Sequence, residues 1–253
     1  MIAMMSVRDE LRDGLRIQSP MTTTPLVPTT AYRDGFGNTC RRFVAPAGTF
    51  RLFSDCTIET SDWTDATEVD AKETPISALP DEVLIYLLGS RYCETDRLSQ
   101  TAWDLFGHIP QGWARVQAIC DYVHAHIRFD YRNARVTRTA FDGWQEKTGV
   151  CRDFAHLAIA FCRCMNIPTR YVNGYLGDIG VPIAGPMDFA AWMEVYLGGR
   201  WYTFDPRNNV PRAGRIVVAY GRDAADVPLI HSFGPHVLQK FHIWTDRIDA
   251  PRM

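Results

Sequence analysis

"TGVCRDFAHLAIAFC", residues 148–162, reads as a helix that opens on a cysteine. Thr148 and Gly149 supply a turn, and Phe154, Leu157, Ala158, Phe161 and Cys162 recur at three- and four-residue spacing, the pattern of a buried helical face. A thiol at Cys151 then sits on the first turn, where unbonded amide N–H groups and the positive end of the helix dipole gather. Both favour thiolate over thiol. Such a cysteine is a nucleophile in waiting, and the chemistry needs two more groups: a base and an acid that orients it.

Downstream of this helix, which the sequence ends at Asn166-Ile167-Pro168, the period switches to two. Strands are expected at TRYVNGYL (169–176), AAWMEVYL (190–197), RWYTF (200–204), RIVVAY (215–220) and VLQKFHIW (237–244). Gly198-Gly199 is a two-residue hairpin turn. Pairing symmetric about it sets residue 196 against 201, 194 against 203 and 192 against 205. One face then carries Ala190, Trp192, Glu194, Tyr196, Trp201, Thr203 and Asp205; the other carries Met193, Val195, Leu197, Tyr202 and Phe204 and belongs to the core. Position 190 lies diagonal to Asp205 on one face, about 7–8 Å between α-carbons. A histidine there could bond Asp205 through one ring nitrogen and offer the other to a thiolate. Residue 190 is alanine.

"GVCRDFAHLAIAFCRCMNIPTRYVNGYL" together with "MDFAAWMEVYLGGRWYTFDPRNN" closely resembles the transglutaminase-like superfamily, and within it the bacterial cysteine proteases and amidases. The resemblance runs over roughly residues 110–245, and "YRDGFGN" (32–38) is similar to the β region that precedes the catalytic core in that group. The family pattern D-F-H-A-W stands here as Asp188-Phe189-Ala190-Ala191-Trp192. The resemblance therefore implies Cys151 as nucleophile, Asp205 as the orienting acid, and Ala190 where the base should be. It implies thioester chemistry on a glutamine-type or peptide amide, resolved by water or by an amine acceptor, with no cofactor and no metal. The backbone N–H of Cys151 is a natural oxyanion donor; Trp144 and Tyr131 are guesses for the second. Trp192, Trp201 and Trp144 are expected to line the substrate cleft.

Two explanations of Ala190 compete. It is an engineered change made to trap a complex, or it is natural and the chain is a peptide- or protein-binding module on an enzyme fold. The clean single exchange amid intact flanking residues, and the two base changes that His-to-Ala needs, favour the first.

The rest of the chain sets the frame. With 253 residues, 46% of them hydrophobic and 22% charged, it can bury a large core. A net charge of −2 leaves no footprint for nucleic acid, and no apolar run reaches the roughly 20 residues that cross a bilayer. Seven cysteines without CxxC pairs argue against a disulfide framework or zinc ribbon and for a reducing cytoplasm. The opening residues are charged where a signal peptide is apolar. Short strands fill 31–60, helices dominate 80–127 with a stripe from Trp113 to Ile127, and 130–148 is a loop. The expected class is α+β: a papain/transglutaminase-like core (76–253), its catalytic helix packed on an antiparallel sheet, behind an N-terminal β region (1–75) whose short lead fits a truncated or divergent start. His156 and Asp153 read as structural residues of the helix, not as a base or metal ligands.

Overall fold

The computed structural model describes residues 1–59, 64–182 and 189–248. In chain order the strands are β1 (Ile2–Ala3), β2 (Leu15–Thr24), β3 (Thr30–Arg33), β4 (Thr39–Arg42) and β5 (Arg51–Ile58). Helices α1 (Asp81–Leu84), α2 (Thr95–Phe106) and α3 (Trp113–His126) follow, then β6 (Arg128–Phe129), α4 (Ala140–Glu146), β7 (Thr148–Gly149) and α5 (Cys151–Cys164). The second half adds β8 (Thr169–Leu176), β9 (Phe189–Leu197), β10 (Arg200–Phe204), β11 (Arg215–Gly221) and β12 (Ile230–His231). This is an α+β architecture.

Helix α5 is the centre of the molecule. Every residue from Asp153 to Cys164 is buried. Helices α2, α3 and α4 cover one side of it, and the antiparallel sheet β10-β9-β8-β11 covers the other. Phe154, Leu157, Ala158 and Phe161 share one apolar core with Val116, Ile119 and Val123 of α3 and with Met193, Val195 and Leu197 of β9. The helix stops where Asn166 turns left-handed (φ 63°), with the Ile167 N–H on the Cys162 carbonyl at 2.9 Å and Pro168 just beyond.

The hairpin has the register expected from its turn. Trp201 pairs with Tyr196, Thr203 with Glu194 and Phe204 with Met193, about Gly198 and Gly199, both at positive φ (55° and 88°). Two such residues in a row are what a tight hairpin of native twist demands, and glycine supplies them without strain.

Three readings of the sequence need correction. VLQKFHIW is not a strand: Val237 and Leu238 are 86% and 68% exposed, and residues 235–248 run without regular structure. β-propensity makes a strand only where a neighbouring edge offers hydrogen bonds. The 130–148 segment is not only loop, because Thr139 and Asp142 form a reciprocal capping box that starts α4. The N-terminal strands are not confined to 31–60. β1 lies between β4 and β12, so a sheet begun by residues 2–3 takes its edge from residues 230–231. Hydrogen bonds also join Arg8 N–H to the Val217 carbonyl (3.2 Å) and the Asn38 amide to the Tyr220 carbonyl (2.7 Å), seating the N-terminal region on β11. Among the described residues, no helix is long and apolar enough to cross a membrane.

Candidate active site

Cys151 is the first residue of α5, half-buried, and Val150 before it is extended (φ −116°, ψ 178°). What holds this entry is Asp153. Its carboxylate accepts the Val150 N–H at 2.9 Å and the Arg138 guanidinium at 3.1 Å, with Arg152 at 3.3 Å. Asp153 and Arg138 are 1% and 3% exposed. Gly149 is there because its backbone passes close to this group; a β-carbon at 149 would come within 2.7 Å of an Asp153 carboxylate oxygen. The first-turn acid thus serves the helix end, and the thiol is presented by a rigid frame.

Across from the helix, Cys151 Sγ lies 4.0 Å from the Phe189 carbonyl oxygen at the start of β9. Position 190 is next along this strand, paired with Gly174 of β8. Phe189 and Ala191 belong with the α5 core, whereas Ala190 joins Val172 and Trp192 in a separate apolar cluster. The side chains of Ala190 and Trp192 thus share a face of β9 distinct from that of Ala191 and Met193. Position 190 therefore adjoins the thiol along the strand, on the face it shares with Trp192.

Asp205 is 7% exposed and densely bonded. One carboxylate oxygen accepts the N–H groups of Arg207 (3.1 Å) and Asn208 (3.0 Å). The other accepts the Asn208 side-chain amide (2.7 Å) and Arg215 Nη2 (3.0 Å). Asp205 therefore caps the turn after β10 and is ion-paired as well. Arg215 reaches it from β11, passes 4.8 Å over the Trp192 ring and binds Asp65 through Nε at 2.9 Å. Burial pushes the Asp65 carboxyl up, and the charge of Arg215 is the first cause opposing it. Sequence reading missed Arg215, which lies ten residues past Asp205 on the far edge of the sheet.

The three tryptophans do not share a cleft. Trp192 is fully buried beneath Arg215. Trp201 sits near the hairpin turn, edge-on to Tyr86 (5.4 Å) and Tyr196 (5.2 Å) with Arg170 over it at 4.2 Å. Trp144 donates its indole N–H to Tyr122 at 3.2 Å, between α3 and α4. Tyr131 is 44% exposed, its ring edge-on to Phe129 at 4.8 Å. An aromatic that does approach the thiol is Tyr171 on β8: burial pushes its hydroxyl well above the ordinary value, and the Cys151 charge is the next cause.

His156 is sealed in the core, its ring 5.2 Å from Tyr92 and 5.1 Å from Tyr171. Its Nε2 accepts the Ala224 N–H at 3.1 Å, which assigns the proton to Nδ1. Burial, aided by Arg152 and Arg163, holds its pKa well below 6.5. The neutral form is the folded one, so the penalty is absent above the unfolded pKa. It grows as pH falls below about 6.5, by about 1.4 kcal/mol per unit, until the folded pKa is reached. His156→Gln keeps an acceptor for Ala224 and removes the titration. Urea unfolding at pH 7 and 5.5 is expected to show a steeper acid loss in the unaltered chain; parallel losses would contradict this.

Against known proteins, a family model described as the transglutaminase-like superfamily matches residues 101–206. A candidate cysteine protease from Cytophaga hutchinsonii, solved by crystallography, is 31% identical, with a TM-score of 0.79 over 90% of this chain and 78% of that one. An uncharacterised protein of Mycobacterium leprae (strain TN) is 38% identical over 111 residues, 41% of this chain and 39% of the relative. An uncharacterised protein of Mycobacterium tuberculosis (strain H37Rv) is 41% identical over 92 residues, 32% of this chain and 29% of the relative. The chain thus spans well under half the length of the mycobacterial relatives it matches.

Proposed function

The chain belongs to the transglutaminase-like superfamily, and from that premise we propose that it carries the nucleophile of cysteine-dependent acyl transfer on amide carbonyls without the base. Cys151 is the attacking thiol, and the ligand is a glutamine-containing or peptide-like amide, with water or an amine as acceptor. The observation that carries the reading is the first-turn thiol in a frame fixed by Asp153 and Arg138. At that position the helix end favours thiolate, and the N–H groups of the first turn face developing negative charge. Alanine at 190 removes the group that would take the thiol proton and return it to a leaving amine. The chain therefore forms a thioester with a good leaving group and fails where the leaving amine must be protonated. Seven cysteines, none of them paired in a disulfide, suit a reducing compartment, which we take to be the cytoplasm.

The second reading is a natural binding module on this fold, and the observation behind it is Arg215: the Asp205 carboxylate already holds a buried cation.

The test is intact-mass analysis after exposure to an activated acyl ester such as p-nitrophenyl acetate. The thiolate attacks the carbonyl, nitrophenolate leaves, and one acyl group is expected on Cys151 and none in Cys151→Ala. With a glutaminyl peptide, with or without amine, turnover is expected to be no faster than that of Cys151→Ala. Acylation that persists in Cys151→Ala, or amide turnover by the unaltered chain, would overturn the proposal.

A further inference from the structure

Arg215 stands where three observations meet. Continuing the hairpin register by one pair sets Asp205 opposite Trp192, with position 190 two residues further along the same face. An imidazole at 190 would have to bond Asp205 across Trp192. The Arg215 guanidinium lies over that ring, 4.8 Å from its centroid, and donates Nη2 to the Asp205 carboxylate at 3.0 Å. The pair is dry, the side chains of Arg215 and Asp205 being 7% and 3% exposed, and Asp65 fixes the guanidinium from behind through Nε at 2.9 Å.

We propose that Arg215 has taken the imidazole's place as the partner of Asp205, so that positions 190 and 215 form a coupled pair and the base cannot be restored at 190 alone. This rests on the acyl-transfer reading of the site, in which Asp205 is the acid that orients a base. Arg215 is a positioning residue: it touches no reacting atom and acts through Asp205. A guanidinium cannot replace the imidazole itself, because it stays protonated and never accepts the thiol proton. Its hold on Asp205 is a charge-assisted hydrogen bond in a buried setting, which a neutral imidazole does not displace. Ala190 packs in one cluster with Trp192, and Arg215 covers the Trp192 ring.

The experiment compares Ala190→His, Arg215→Gln and the double variant A190H/R215Q, each checked for folding by circular dichroism. Two readouts are used: turnover of a glutaminyl peptide, and the NMR titration of the histidine introduced at 190. In A190H we expect no turnover above the unaltered chain and a titration midpoint near the ordinary value of about 6.5, as for a histidine without a carboxylate partner. In A190H/R215Q the midpoint is expected to rise by about one unit, because a carboxylate partner favours imidazolium. Turnover is expected to increase at least ~10-fold over A190H, as a base adds two or more orders of magnitude when correctly placed. Rescue in A190H alone, or a raised midpoint there that Asp205→Asn lowers, would overturn the proposal. Should R215Q not fold, the titration of A190H alone decides by the same criterion. A double variant with a raised, Asp205-dependent midpoint and no thioester on any amide would support the Arg215 assignment while contradicting the acyl-transfer reading.

Discussion

Replacing Asp153 with alanine is expected to destabilise the fold by about 3–5 kcal/mol, the cost of breaking a buried ion pair from one side. Its carboxylate is the shared acceptor of the Val150 N–H and of Arg138, at 2.9 and 3.1 Å, and its side chain is wholly buried. Removing it leaves a half-buried donor at the helix entry and strips Arg138 of one of two carboxylate partners; Glu146, the other, remains at 2.9 Å. Asp153→Asn keeps an acceptor for Val150 and should cost less than the alanine. Because the capped residue adjoins Cys151, the loss falls on the segment that presents the thiol. Urea denaturation checks both variants, and a shift under about 1 kcal/mol for Asp153→Ala would show that the pair does not hold the helix end.

Much of the half of the chain around Cys151 was legible because its periodicities are local. The helix from Cys151, the strands 169–176 and 200–204 and the hairpin register follow from spacing within windows of a dozen residues and from two glycines at positive φ. The hairpin pattern also separated the two faces correctly. It did not reveal that the face bearing Trp192 is itself covered. Arg215 lies over Trp192, Leu79 and Val83 pack on Tyr196, and Arg8 and Arg170 stack on Tyr220. Alternation tells which residues differ in surroundings, not what lies above each face. The same limit hid β1 and β12, two residues each, whose pairing joins chain positions more than 220 apart. Short strands of that kind carry no period. Arg215 was invisible for a related reason: its partners, Asp65 and Asp205, are assembled by the sheet, and a lone arginine reads as surface. The tail at 237–244 failed in the opposite sense, with strand composition and no strand beside it.

The central claim is that Cys151 is the reactive thiol of this chain, and competitive alkylation tests it most directly. Burial pushes Cys93, Cys162 and Cys164 up to about 12 and Cys120 well above its ordinary value, and it raises Cys40 and Cys56. Alkylation requires thiolate, so at pH 8 a thiol near 12 is about three orders of magnitude less ionised than one at the free value of about 8.5. Only Cys56 and Cys151 are half-buried; the other five are buried. Of these two, Cys151 has the helix end and Cys56 has the adjacent charge of Asp55, which works against thiolate. Limiting iodoacetamide at pH 8, with peptide mapping over time, is expected to modify Cys151 first and at least ~10-fold faster than Cys56, with the buried five unmodified while the protein stays folded. Cys56 reacting as fast as Cys151, or a Cys151 that resists alkylation until the chain unfolds, would contradict the account.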